Sequence, residues 1–130
     1  MSTKLRFRRL AGTYAICRLP PDAPFPAWAE RGTLTSITRT AEELSIVCPL
    51  ENVPAEHRAG IRWCCFQLVG PFAFSQVGIL ASFIAPLAAS GIPIFAISTY
   101  DTDYVLVSGE FADAARKSLL EAGHEFVSES

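Results

Sequence analysis

The chain lacks the spacings that mark most catalytic and metal sites. It has no C-x-x-C, no G-x-x-x-x-G-K-[ST] phosphate loop and only two histidines, His57 and His124. Both histidines stand far in sequence from the four cysteines, Cys17, Cys48, Cys64 and Cys65. Three cysteines fall in apolar strand-like runs and Cys48 closes another. Adjacent Cys64 and Cys65 would point to opposite faces of a strand. Buried, reduced thiols acting as small hydrophobes are expected, not metal ligands or disulfide partners. Charge is scarce as well. Only 18% of residues are charged and the net charge is −2, which speaks against a long basic groove for nucleic acid. The one cationic run, Lys4-Leu5-Arg6-Phe7-Arg8-Arg9, reads as the solvated start of an edge strand. Residues 1–20 lack the continuous apolar core of a secretory signal. The most apolar segment, Val77 to Ala89, is too short to span a bilayer and contains Pro86, so it reads as a buried helix. A soluble, cytoplasmic protein with no nucleic-acid or membrane partner is expected.

What the chain has in quantity is apolar residues, half of its 130. That suits one domain, or two very small ones sharing a core. The pattern repeats. SITRTAEELSIV (Ser36–Val47) aligns with AISTYDTDYVLV (Ala96–Val107) at an offset of sixty. Each copy is an apolar strand, an acidic polar turn and a second apolar strand. In the second copy, Ile61 to Val69 reads as a strand ending at Gly70-Pro71. Ser75 can cap a helix from about Gln76 to Ser90, whose Leu80, Phe83, Ile84 and Leu87 form one buried face. Ser90-Gly91 stops that helix, and Pro86 is expected to kink its last turn. Strands Ile92–Thr99 and Tyr104–Gly109 and a helix Phe111–Glu121, stopped by Gly123, complete the unit. The first copy is reduced: strand Thr13–Leu19, a proline-rich loop Pro20–Pro26, a short helix around Ala27–Glu30, then hairpin Leu34–Thr40 with Leu44–Pro49. Residues 51–59 leave room for one or two helical turns.

A βαββα unit in tandem, with GPFAFSQVGILASFIAPLAASGIPIFAISTYDTDYVLV (Gly70–Val107) as its better copy, resembles a pair of ACT domains. It is most similar to the ACT domains of CASTOR-type arginine sensors and the small bacterial proteins related to them, and also resembles the regulatory region of aspartate kinases. The resemblance implies an α+β fold of two ferredoxin-like modules, residues 1–60 and 61–130, with antiparallel sheets and helices packed on one face. It also implies a regulatory protein that binds a free amino acid at a module interface, works as a homodimer and acts on a protein target. The alternative is a module that has lost its ligand and only dimerises or docks. Neither cofactor nor metal is expected, and no nucleophile elbow or paired-carboxylate pocket suggests an enzyme. His57 and His124 read as exposed surface residues.

Mapped onto this chain, the implied ligand site joins the loop entering the first helix to the end of the following strand. Its candidates are Phe74, Ser75, Val77, Gly78 and Ile79 on the loop, and Ile97, Ser98, Thr99, Asp101, Thr102 and Asp103 on the strand and turn. The chemistry suits a zwitterion. Amides at a helix start favour a carboxylate, and Gly78 lets a ligand approach the main chain. Asp101 or Asp103 can accept from an ammonium or guanidinium, and Ser98 and Thr99 offer hydroxyls. Each residue also has an ordinary structural use: Asx turns for the aspartates, an N-cap for Ser75, close packing at Gly78, and strand hydrogen bonds for the hydroxyls.

Overall fold

The structure, a computed structural model, describes residues 3–129. In chain order its regular elements are β1 (Arg6–Arg9), β2 (Tyr14–Leu19), β3 (Ser36–Arg39), β4 (Leu44–Pro49), β5 (Trp63–Leu68), α1 (Ile79–Ala89), β6 (Phe95–Ser98), β7 (Asp103–Ser108), α2 (Ala112–Glu121) and β8 (Glu125–Glu129). The chain divides into two compact units. One combines Met1–Ala11 with Cys64–Ser130, and the other is Gly12–Trp63.

The larger unit is α+β, with strand order β8-β1-β5-β7-β6. Antiparallel pairs join β1 to β5 and β6 to β7, whereas β1 runs parallel to β8. The sheet is therefore mixed, not purely antiparallel as expected. A further correction concerns the N-terminus. β1 is no edge strand: it lies between β5 and β8, so a division at residue 60 assigns it to the wrong unit. The cause is visible in its alternation. Leu5 and Phe7 are buried while Arg6 is exposed, a period-two pattern of one apolar face beneath the charges. Phe7 then meets Phe66, Phe83 and Phe126 edge-on at 5.4–5.7 Å between ring centroids. Around it, Cys64, Leu68, Val105 and Val107 pack against Leu87 of α1 and Ala115 and Leu119 of α2. Fully burying each large side chain of this kind contributes about 1.5–3 kcal/mol.

Helix α1 starts three residues later than the sequence suggests. Ala73 N donates to Gln76 Oε1 at 2.7 Å and Gln76 N donates to Ala73 O at 3.0 Å. Residues 73–76 thus close a turn of their own, and Ser75 does not cap the helix. Gly78 precedes Ile79 instead, at φ 76° and ψ 7°, a left-handed backbone that favours glycine. The apolar face is as read: Phe83 and Leu87 are buried, and Leu80 and Ile84 pack half-buried beside them. The helix ends at the expected place, where Gly91 N donates to Ala88 O and Ile92 N to Leu87 O.

His124 is the largest departure from the sequence reading, for it is buried, with 4% exposure, not at the surface. Its Nδ1 accepts from Leu5 N–H at 3.1 Å. A backbone amide can only donate, so Nδ1 carries no proton, and Nε2–H donates to the Ser82 carbonyl at 2.9 Å. The next residue repeats the tie: Glu125 N donates to Leu5 O at 2.8 Å.

The smaller unit is a three-stranded antiparallel sheet in the order β3-β4-β2. Short 3-10 turns at Ala27–Glu30, Leu50–Asn52 and Ala55–His57 stand where the larger unit has helices. Ala15, Cys17, Ala29, Leu44, Ile46, Cys48, Leu50 and Val53 form its core. Both units contain the same hairpin, but at an offset of 59, not sixty. Thr40 N donates to Glu43 O in one and Thr99 N to Thr102 O in the other. The flanking pairs Arg39–Leu44 and Ser98–Asp103 are equivalent.

Candidate functional site

The loop from Gly70 to Gly78 is drawn onto the β6–β7 turn by main-chain contacts. Phe72 N donates to the Asp101 carbonyl at 2.8 Å. A Cβ added at Gly70 would stand 3.0 Å from that same oxygen, so the close approach depends on glycine. From the other side, Thr102 is buried and its hydroxyl donates to Leu68 O at 2.7 Å. The turn is thus fixed to both the loop and β5.

Between loop and turn lies an open pocket of about 250 Å³, below the range of about 300–1,000 Å³ usual for drug-sized ligands and suited to a small metabolite. Seven of the eleven candidates line it: Phe74, Ile79, Ser98, Thr99, Asp101, Thr102 and Asp103. Four do not. Ser75 is exposed on the loop, Val77 is 88% exposed, Gly78 starts the helix, and Ile97 lies half-buried in β6 opposite Tyr104. The pocket also takes Phe72, Ala73, Gln76 and Tyr100. Tyr100 and Phe74 meet edge-on at 4.7 Å while both remain more than three-quarters exposed.

The polar groups differ in what they leave free. Ser98 Oγ donates to Asp103 Oδ1, and Thr99 Oγ1 donates to Thr102 O at 3.1 Å. Both hydroxyls spend their protons inside the turn, and the Thr102 hydroxyl spends its proton on Leu68 O of β5. Among the described residues the Asp101 carboxylate has no hydrogen-bond or salt-bridge partner and is exposed. Its charge is felt nearby: burial, then Cys65 and Asp101, push the Tyr104 phenol up, against a smaller lowering by Arg8. The same pocket is lined by Ile79 at the amino end of α1. Ser82 N takes the Gly78 carbonyl at 2.9 Å, which leaves the first-turn amides without an intrahelical acceptor. The lining thus includes two acidic side chains and the first residue of a helix, whose amino end carries the positive end of the helix dipole.

The residue pattern of the ACT domain family matches residues 58–121. A second family, described as an N-terminal domain, matches residues 12–56. Residues 58–121 carry an ACT domain. ACT domains are typically regulatory ligand-binding modules. The crystal structure of protein Atu0741 from Agobacterium tumefaciens is similar to this ACT protein at a TM-score of 0.91 and 41% identity, covering 99% of this chain and 96% of that one. The aspartokinase alpha and beta subunits share the fold at a TM-score of 0.58 and 22% identity, covering 94% and 98%. The human putative protein CASTOR3P is 39% identical over 85 residues, which are 55% of this chain and 52% of that protein. The ACT chain thus spans about half the length of this curated relative.

Among the described residues, no helix is long and apolar enough to cross a membrane, and no group of three or more His, Cys, Asp and Glu side chains could hold a metal ion. All four cysteines are buried and free.

Proposed function

We propose that this ACT-domain protein is a cytoplasmic regulatory sensor that binds a free amino acid in the pocket between the 72–79 loop and the β6–β7 turn. The observation that carries this reading is the make-up of a pocket of about 250 Å³, whose lining takes in the exposed Asp101 carboxylate, Asp103 and Ile79, the first residue of α1. An α-ammonium is matched to the aspartates and an α-carboxylate to the helix start. Charge-assisted hydrogen bonds of about 1.5–3 kcal/mol each, reduced by the cost of association, correspond to micromolar to millimolar affinity. The active species in this proposal is a homodimer in which a second copy covers the exposed Phe74, Val77 and Tyr100 at the pocket mouth. Its output is a change in how the dimer engages a protein target.

The test is a melting-temperature screen against the twenty amino acids, followed by calorimetry on those that shift it. One or a few should stabilise the protein, and Asp101→Asn should abolish the effect. A second reading, a ligand-free interaction module, is favoured by the local use of the Ser98 and Thr99 hydroxyls. Silence across all twenty, with a dimer that persists in light scattering, would establish that reading.

A further inference from the structure

A second pocket, of about 240 Å³, is lined by Arg8, Gln67, Val69, Gly70, Pro71, Asp101 and Thr102. Arg8 and Gln67 are directly paired residues on β1 and β5, so their side chains share one face of the sheet. Neighbouring Phe7 lies in the core against the helices; by strand alternation, Arg8 points away from them. Pairing of β1 with β8 slips between Phe7 and Arg8, whose partners are Phe126 and Ser128. Irregularities of this kind re-aim a side chain.

The Arg8 guanidinium is incompletely used. Its Nε is buried and has no hydrogen-bond partner, and among the described residues no ion pair joins it to Asp101. An unpaired buried donor is costly, the more so when charged, and buried donors are nearly always paired.

We infer that Arg8 and Gln67 form a binding site for a small monocarboxylate, separate from the amino-acid pocket. The planar carboxylate takes the two parallel N–H donors at the Nη end of the guanidinium, which makes no hydrogen bond among the described residues. The Gln67 amide supplies a further donor beside it. Asp101 at the rim sets the charge class, because a phosphate dianion meets repulsion that a singly charged carboxylate meets only in part. The ligand needs no ammonium; Asp101 and Thr102 line both pockets, and the two readings are told apart at Arg8 and Gln67, which line this one alone.

The Arg8 Nε–H resonance, assigned in the isotopically labelled wild-type protein, reports the site directly. Sodium propionate is titrated against sodium chloride at matched ionic strength and against inorganic phosphate. Propionate should move that resonance along a saturating curve while chloride leaves it in place, and phosphate should bind more weakly. Gln67→Leu should weaken propionate by about 3- to 10-fold, the worth of one hydrogen bond. Arg8→Met should remove the saturable shifts of the neighbouring amides. Equal effects of chloride and propionate in the wild type would overturn the assignment without recourse to any variant. So would saturation that survives Arg8→Met, or tighter binding of phosphate.

Discussion

His124→Phe isolates what the buried imidazole contributes through its nitrogens. Phenylalanine keeps a ring beside Phe83, whose centroid lies 5.5 Å from that of His124, but offers neither acceptor nor donor. Two main-chain groups then lose their partners: Leu5 N–H, 3.1 Å from Nδ1, and Ser82 C=O, 2.9 Å from Nε2. Each buried orphan costs about 1–3 kcal/mol, so the variant should lose about 2–6 kcal/mol. Domains of this size hold about 5–15 kcal/mol in total, so the loss is large enough to be read in urea. The midpoint should fall with the slope unchanged, because the surface exposed on unfolding is the same. Amide exchange should accelerate at Leu5, and in the wild type the ring nitrogens should show the Nε2–H tautomer. A loss below about 1 kcal/mol, together with unchanged protection at Leu5, would refute the claim that this histidine ties β1 to α1.

Three further predictions follow from single residues. Gly78→Ala should cost about 1–2 kcal/mol from the left-handed backbone alone, because an added Cβ meets nothing within 4 Å; a much larger loss in urea unfolding would mean the helix start is set by packing. Thr102→Val removes the donor to Leu68 O but keeps the side chain's shape, and should cost about 1–2 kcal/mol with faster amide exchange in the β6–β7 turn. Burial pushes the Cys65 thiol up to about 12, with a further push from Cys64, and burial followed by Cys17 pushes Cys48 up to about 11. Alkylation of the folded protein at mildly alkaline pH should therefore be far slower than in urea. Because the raised thiols favour the folded state only while protonated, stability should fall as pH rises through the ordinary 9.0, by up to about 1.4 kcal/mol per unit for Cys65.

Much of the larger unit is legible in the chain because its signals are local. The Leu80, Phe83, Ile84, Leu87 spacing gives α1 its buried face, and Ser90-Gly91 gives its end. The hairpins follow from apolar runs around polar turns. Their relative register does not, because matching residue types favours an offset of sixty while the hydrogen bonds opened by Thr40 and Thr99 impose 59. The start of α1 is misread for a similar reason. Ser75 has the right chemistry for a cap, but the Gln76 side chain closes a competing turn on Ala73. In the pocket, turn residues near one another in sequence are found together. Tyr100, absent from the sequence candidates, gains its role only from contact with Phe74 across the loop.

The sequence by itself determined the α+β class, the better copy of the repeat and the acidic turn, since propensity, periodicity and turn chemistry act within a few residues. Only the tertiary structure decided that β1 sits between β5 and β8, that His124 is buried on two backbone groups, and that Arg8 faces a pocket with an unpaired Nε. Those outcomes depend on bringing together segments more than forty residues apart. Alternation such as Leu5-Arg6-Phe7 marks a strand but does not name its partner, which is fixed by the burial and hydrogen bonding of the folded whole.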